Sequence, residues 1–168
     1  VLANSFKSRL ISWGYAPTQI SLETTTVDIS LLHKFTLEHR ITKIESGNDA
    51  IQLLFLARIE KDKGIIETIE AFKLLRQDYP NMRLAIAGVG SYLEKARSLA
   101  NAISKGNISF PGYLRGLDKT NIYLNSDIFV FPTYYSEGMP NSVLEAMAMG
   151  LPIITRPVGG LKDFLKDL

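Results

Sequence analysis

From residue 51 onward, apolar runs of strand length take turns with amphipathic stretches of helical period. Ile51 to Ala57 is apolar but for Gln52, which predicts a strand buried on both faces. Gly64 to Tyr79 follows with Ile65, Ile69, Phe72 and Leu75 on one helical face, and Pro80-Asn81 ends it. The pattern then repeats: strand Arg83–Ala87, helix Tyr92–Ile103, short strand Ile108–Phe110 closed by Pro111-Gly112, and short helix Asp118–Asn125. Strand Asp127–Phe131 closes at Pro132, helix Asn141–Met149 has Pro140 at or near its first position, and strand Pro152–Thr155 precedes a helix from Gly160 to Leu168. Ahead of this regular part, Asn4 to Trp13 predicts a helix capped by Asn4 or Ser5 and stopped by Gly14, with Gln19–Glu23 extended. Thr24 to Gly47 is mixed, with a short helix around Leu31–His39 and a turn at Ser46–Asp49. Strands alternating with helices imply an α/β fold, a Rossmann-like parallel sheet with helices on both faces.

Composition changes this picture little. The 168 residues are 46% hydrophobic and 21% charged, ordinary for a globular domain. A net charge of +2 gives no reason to expect nucleic acid as a partner. Cysteine is absent, which removes thiolate metal sites and cysteine nucleophiles. No apolar run approaches the roughly 18 residues of a membrane span, and no signal peptide is visible. Val1-Leu2-Ala3 reads as the end of a strand, so a fragment is expected.

In a parallel α/β sheet, ligands sit beyond the carboxyl ends of the strands. The polar oddities of this chain all follow strands and are expected on one rim: Arg58 and Lys63, Gly88 and Gly90, Gly112 and Tyr113, and Glu137. Arg58 and Lys63 at a helix entrance suit a diphosphate; the competing reading pairs Arg58 with Glu60. Glu137 and Glu145 have seven residues between them, a spacing close to chance by itself. Its context is informative. Gly138 allows close approach, and Asn141 and Ser142 begin a helix whose free N–H groups favour an anion. Glu145 stands on an otherwise apolar helix, where it either binds sugar hydroxyls or pairs with a buried Arg or Lys. Gly88-Val89-Gly90 either lets backbone approach a phosphate or is a plain strand-to-helix turn. Backbone around Tyr113 and Leu114 either offers groups to a base edge or is ordinary loop packing, and Tyr134-Tyr135 is either a sugar platform or packing. There is no Asp-x-Asp pair for a metal-bound diphosphate, no dinucleotide or P-loop signature, and His33 and His39 do not form a ligand pair.

These residues, in this order, resemble the C-terminal domain of retaining glycosyltransferases of the two-domain GT-B fold, the family 4 or glycosyl transferases group 1 set. The resemblance rests on Phe55–Gly64, Leu84–Gly90, Phe110–Tyr113, Glu137–Glu145 with its E-x7-E spacing, and Gly150–Thr155 followed by Gly159-Gly160. It implies residues 1–23 as the tail of an N-terminal acceptor domain, 24–50 as an interdomain linker and 51–168 as a nucleotide-sugar-binding domain, incomplete at its end and inactive alone. It implies a nucleoside-diphosphate sugar as donor, no metal or other cofactor, and a glycan or lipid-linked acceptor reached through the N-terminal domain. By the same resemblance, Arg58 and Lys63 bind the diphosphate and Glu145 holds the ribose. Glu137 contacts the donor sugar near the transferring carbon, which together with Arg58 and Lys63 makes the catalytic set. Gly138, Met139, Pro140, Asn141 and Ser142 meet sugar or phosphate, Tyr113 and Leu114 read the base by backbone, and Gly88 lies beside them. Hexosyl transfer with retention in cell-surface polysaccharide synthesis is implied, in the cytoplasm or against the inner face of the membrane by peripheral association. A non-catalytic nucleotide-sugar-binding module and a GT-B-type sugar-nucleotide epimerase are the alternatives. Ala57 replaces the common glycine before Arg58, Asp163 stands where glutamate is usual, and Thr25–Asp28 replaces Asn-Gly-Val-Asp.

Overall fold

Parallel strands bury both faces only if their neighbouring side chains find helices on opposite sides. A computed structural model of the chain, describing residues 1–23, 25–27, 50–103 and 106–165, has that arrangement. Its elements are α1 (Asn4–Ser12), β1 (Gln52–Leu56), α2 (Ile65–Asp78), β2 (Arg83–Ala87), α3 (Leu93–Ile103), β3 (Ile108–Gly112), α4 (Gly116–Leu124), β4 (Ile128–Phe131), α5 (Asn141–Ala148), β5 (Ile153–Thr155) and α6 (Leu161–Phe164). The five strands form one sheet of order β3-β2-β1-β4-β5, and every pairing is parallel. Leu53, Phe55, Leu84 and Ile86 pack with Ile65, Ile69 and Phe72 of α2 and Ala96 of α3. The alternate residues Leu54, Ala85, Ala87, Phe129 and Phe131 pack on the other face with Tyr123, Val143, Ala146 and Leu161 from α4, α5 and α6. Each of these large side chains contributes roughly 1.5–3 kcal/mol on burial. The expected Rossmann-like architecture is therefore the observed one.

The order of strands positions the site. The chain moves outward from β1 through β2 to β3, then returns to the other side of β1 for β4 and β5. Loops after β1 and β4 thus leave in opposite directions and open a crevice between them.

Several local expectations are corrected. Neither Asn4 nor Ser5 caps α1; Ala3 holds the cap position without a side-chain bond. The Asn4 N–H instead donates to Asp163 Oδ2 at 2.8 Å. Gln19 closes a 3-10 turn, Pro17–Gln19, and the chain then runs extended at Ile20. Glu23 N–H donates to the Val1 carbonyl at 2.9 Å, so the two ends of this segment pair. On α2, Leu75 is exposed and Thr68 takes the buried face, its hydroxyl donating to the Gly64 carbonyl. Pro111 does not close β3, which runs on to Gly112. An edge strand tolerates a missing N–H, and the ladder answers with a register shift opposite Ala85 and Ala87. Pro140, expected at or near the first position of α5, is its N-cap, whereas α6, expected to run on, ends at Phe164. The expected helix around Leu31–His39, the turn at Ser46–Asp49, both histidines and most of the expected linker lie outside the described residues. Among the described residues no helix is long and apolar enough to cross a membrane.

Candidate functional site

Backbone pairing continues past the ends of β1 and β2: Ala57 N–H donates to Ala87 O at 3.2 Å and Ile59 N–H to Val89 O at 2.9 Å. The loops carrying Arg58 and Gly88 are thereby zipped together. A Cβ on Gly88 would lie 1.9 Å from the Ala57 carbonyl oxygen, and its φ of +138° favours glycine. Gly88 and Gly90 therefore serve the approach of one loop to the other first, with Gly88 also facing the site.

Beyond the strand ends lies a cleft of about 620 Å³. Its lining includes Arg58, Gly88, Tyr113, Leu114, Met139, Asn141, Ser142 and Glu145, eight of the expected site residues brought together from four loops and one helix. Arg58 is exposed on the rim. Its expected partner Glu60 turns elsewhere: the Glu60 carboxylate accepts from Ser91 N–H at 3.1 Å and from the Ser91 hydroxyl. Those two bonds, the hydroxyl's first, hold the Glu60 carboxyl below its usual range against the opposing effect of burial, with Arg58 and Lys63 charges adding to it. Among the described residues no carboxylate lies in ion-pair distance of Arg58.

Lys63 and Glu137 are not in the cleft lining; they form an ion pair beside it. The pair is created by the loop after β4 folding onto the turn Lys61–Lys63. Tyr134 N–H and Tyr135 N–H donate to the Asp62 carbonyl at 3.0 and 3.2 Å, and the Tyr134 hydroxyl donates to Lys61 O at 2.7 Å. Tyr135 lays its ring 4.3 Å from the Lys63 ammonium, so both tyrosines secure this loop. Behind Glu137, Gly159 and Gly160 fit where side chains would not. A Cβ on Gly159 would meet the Glu137 carbonyl oxygen at 2.0 Å, and the Gly160 N–H donates to it at 2.8 Å.

At the start of α5, the N–H groups of Gly138, Met139, Asn141 and Ser142 have no acceptor among the described residues. Four convergent donors and the helix dipole make this end of the cleft attractive to an anion. One turn further, Glu145 faces the cleft with both carboxylate oxygens engaged. Lys119 Nζ donates to Oε1 at 2.6 Å and the Tyr123 hydroxyl donates to Oε2 at 3.0 Å. Lys119 lines the cleft as well. Burial, and then the Glu145 charge and hydrogen bond, push the Tyr123 phenol far above its ordinary range, so it stays a donor. Lys119 and Tyr123 were not expected from the sequence. Their spacing of four on the apolar face of a short helix was the available signal. The pairing expected as the alternative for Glu145 is present, though its partner Lys119 is 34% exposed; Glu137 is paired too, with the buried Lys63.

Comparison with known proteins was consistent across sequence and structure. The chain is 25% identical to a putative colanic acid biosynthesis glycosyltransferase, WcaL, of Salmonella typhimurium, over 98% of this chain and 40% of the relative. It is 33% identical to the capsular polysaccharide biosynthesis glycosyltransferase CapM of Staphylococcus aureus, over 69% of this chain and 30% of the relative. The solved structure of Anabaena HepE in complex with UDP-glucose superposes with a TM-score of 0.80 at 15% identity, over 99% of this chain and 46% of that one. The chain therefore spans less than half the length of these relatives. The family described as glycosyl transferases group 1 matches residues 38–168, beginning inside the stretch read as a linker. With that match over most of its length, on a Rossmann-like sheet of GT-B type, the chain belongs to the glycosyl transferases group 1 family.

Proposed function

We propose that this chain is the donor-binding unit of a hexosyltransferase that takes its sugar from a nucleoside-diphosphate sugar and transfers it, with retention of configuration, to a glycan or lipid-linked acceptor in cell-surface polysaccharide synthesis. What supports this is one juxtaposition. The cleft at the β1/β4 switch point holds a rim arginine with no carboxylate partner among the described residues, a lysine, the open donors of a helix N-terminus and an acceptor carboxylate. That set matches a ligand with a diphosphate at one place and hydroxyls at another. The relatives named for polysaccharide biosynthesis and the neighbour named with UDP-glucose support the substrate class.

In this reading Arg58 takes the diphosphate as a fork and Lys63 as a point charge. An ammonium has three N–H donors, so Lys63 can keep Glu137 and still reach a phosphate oxygen. Glu145 accepts from the ribose, and Glu137 contacts donor-sugar hydroxyls. Backbone N–H groups from Gly138 to Ser142 meet sugar or phosphate, Pro140 shapes that turn, and backbone at Tyr113 and Leu114 reads the base. The bond from the sugar carbon to the phosphate oxygen breaks while the acceptor oxygen bonds on the same face. The acceptor proton passes to the departing phosphate. Charge builds on that phosphate, so cations fixed there lower the barrier most, without a metal ion. Residues 1–23 belong to the tail of an acceptor domain, 24–50 to a linker and 51–168 to the donor domain, working in the cytoplasm at the inner face of the membrane. Alone, the chain binds donor and transfers little.

Calorimetric titration of UDP, ADP and GDP into the protein tests this. One nucleotide is expected to bind, and Arg58→Ala and Glu145→Ala should each weaken it about tenfold, the usual loss for a charge-assisted hydrogen bond. Affinity unchanged in both variants would sink the assignment.

A further inference from the structure

Glu145 is held at both oxygens from one neighbouring helix. Lys119 and Tyr123 stand one turn apart on α4, and their polar tips meet the two ends of the same carboxylate. Tyr123 is almost wholly buried, packed against Phe129 with ring centroids 6.0 Å apart, so its hydroxyl position is fixed by the core. The Glu145 side chain keeps 16% exposure, toward the cleft it lines. Each carboxylate oxygen can accept two hydrogen bonds. With Lys119 on Oε1 and Tyr123 on Oε2, one acceptor site on each oxygen remains for the cleft. Two acceptor sites on the two ends of one rigid carboxylate suit two neighbouring hydroxyls.

The Tyr123 hydroxyl has a second acceptor, the Ser142 carbonyl, also at 3.0 Å. A phenol has one hydrogen, so it serves Glu145 or Ser142, not both fully. It therefore couples the carboxylate to the first turn of α5, where the anion-attracting N–H groups lie.

We infer that Lys119 and Tyr123 are positioning residues that clamp Glu145 so that its carboxylate accepts hydrogen bonds from a vicinal diol of the bound ligand. This rests on the proposal that Glu145 meets the ribose. The clamp fixes the carboxylate rotamer before the ligand arrives, so less freedom is lost on binding. A side chain of this kind, free to rotate, would lose part of that preference for a diol.

The test compares UDP with 2′,3′-dideoxy-UDP, which lacks the diol, by titration calorimetry on the wild-type chain and its variants. Wild type is expected to favour UDP about tenfold, and Glu145→Ala to abolish the preference. Tyr123→Phe keeps the buried ring and removes only the hydroxyl. It is expected to shrink the preference about threefold, UDP affinity falling more than dideoxy-UDP affinity, a pattern that general loosening, which weakens both alike, would not produce. Lys119→Met gives the same ratio readout should the phenylalanine variant lose its fold. A wild-type ratio retained in Tyr123→Phe, with Glu145→Ala altered, overturns the clamp and leaves the Glu145 role standing. A wild-type chain that binds both nucleotides equally overturns the ribose role of Glu145 and the clamp with it.

Discussion

A buried ammonium is tolerated only beside an opposite charge, and the Lys63 side chain, 6% exposed, has that in Glu137 at 17%. Removing one partner strands the other. Lys63→Met is therefore expected to cost about 3 kcal/mol in urea unfolding, at the low end for a broken buried pair because Glu137 keeps some solvent. The double variant Lys63→Met/Glu137→Gln should recover most of that loss; strictly additive losses would show that the pair is not coupled. The same logic explains what the sequence revealed of the site. Arg58, Gly88, Tyr113, Leu114, Met139, Asn141, Ser142 and Glu145 were recognisable because each follows a strand or opens the helix after one. Topology alone carries such residues to one rim. The partners of the charged groups were not recognisable. Glu60 goes to Ser91 rather than Arg58, and Glu145 takes Lys119 and Tyr123. Those choices depend on how α3 and α4 dock on the sheet; the spacing of Lys119 and Tyr123 places both on one helical face but does not name Glu145 as their partner.

At the scale of elements, strand positions were nearly right because continuous apolar runs have few alternatives, whereas ends depended on neighbours. Pro111 stays inside β3 because β3 is an edge strand, a fact of strand order and not of local sequence. Element contacts also set the acid response of the rim. Ser91, just before α3, ties the loop after β1 through the Glu60 carboxylate, mainly by its hydroxyl and then by its N–H. The sign is that of a depressed carboxyl. The tie contributes above the ordinary carboxylate pKa of about 4.3 and is lost as pH falls through the lowered folded value. Carbon-detected NMR titration should find the Glu60 midpoint below that ordinary value in wild type and moved up toward it in Ser91→Ala. The stability difference between the two proteins should shrink as pH falls through the wild-type midpoint. A midpoint identical in both would show that Ser91 does not hold the carboxylate.

For the whole molecule, the question is what the first 23 residues add to a sheet that already has both faces covered. Among the described residues, neither apolar cluster flanking the sheet includes one before 51. Yet Ala3 is fully buried, and its Cβ lies 3.0 Å from where a Cβ on Gly160 would be. Leu2 packs over Gly138, and Asn4 N–H donates to Asp163. These contacts fall on the loop that carries Glu137, at Gly138, and on the start of α6, at Gly160 and Asp163, where the Gly160 N–H holds the Glu137 carbonyl; none falls on a strand. The segment therefore braces the donor-facing loops and not the core. Deleting residues 1–23 should leave a cooperatively folding sheet with a Tm lower by about 2–4 °C per kcal/mol of lost contact, the scale for a domain near this size. Hydrogen exchange should report where the loss falls. The hydrogen-bonded amides at these loops, Gly160 on the Glu137 carbonyl and Val143 and Leu144 on the Pro140 carbonyl, should exchange several-fold faster, while those of β1, β2 and β4 keep their protection, since local openings follow the contacts that close them. Uniformly faster exchange across the strands would mean that the segment belongs to the core. Unchanged exchange at Val143, Leu144 and Gly160 would mean that it braces nothing. If the brace holds, the geometry of the α5 N-terminus depends on chain that lies outside the Rossmann-like unit, and donor affinity should fall with the same deletion.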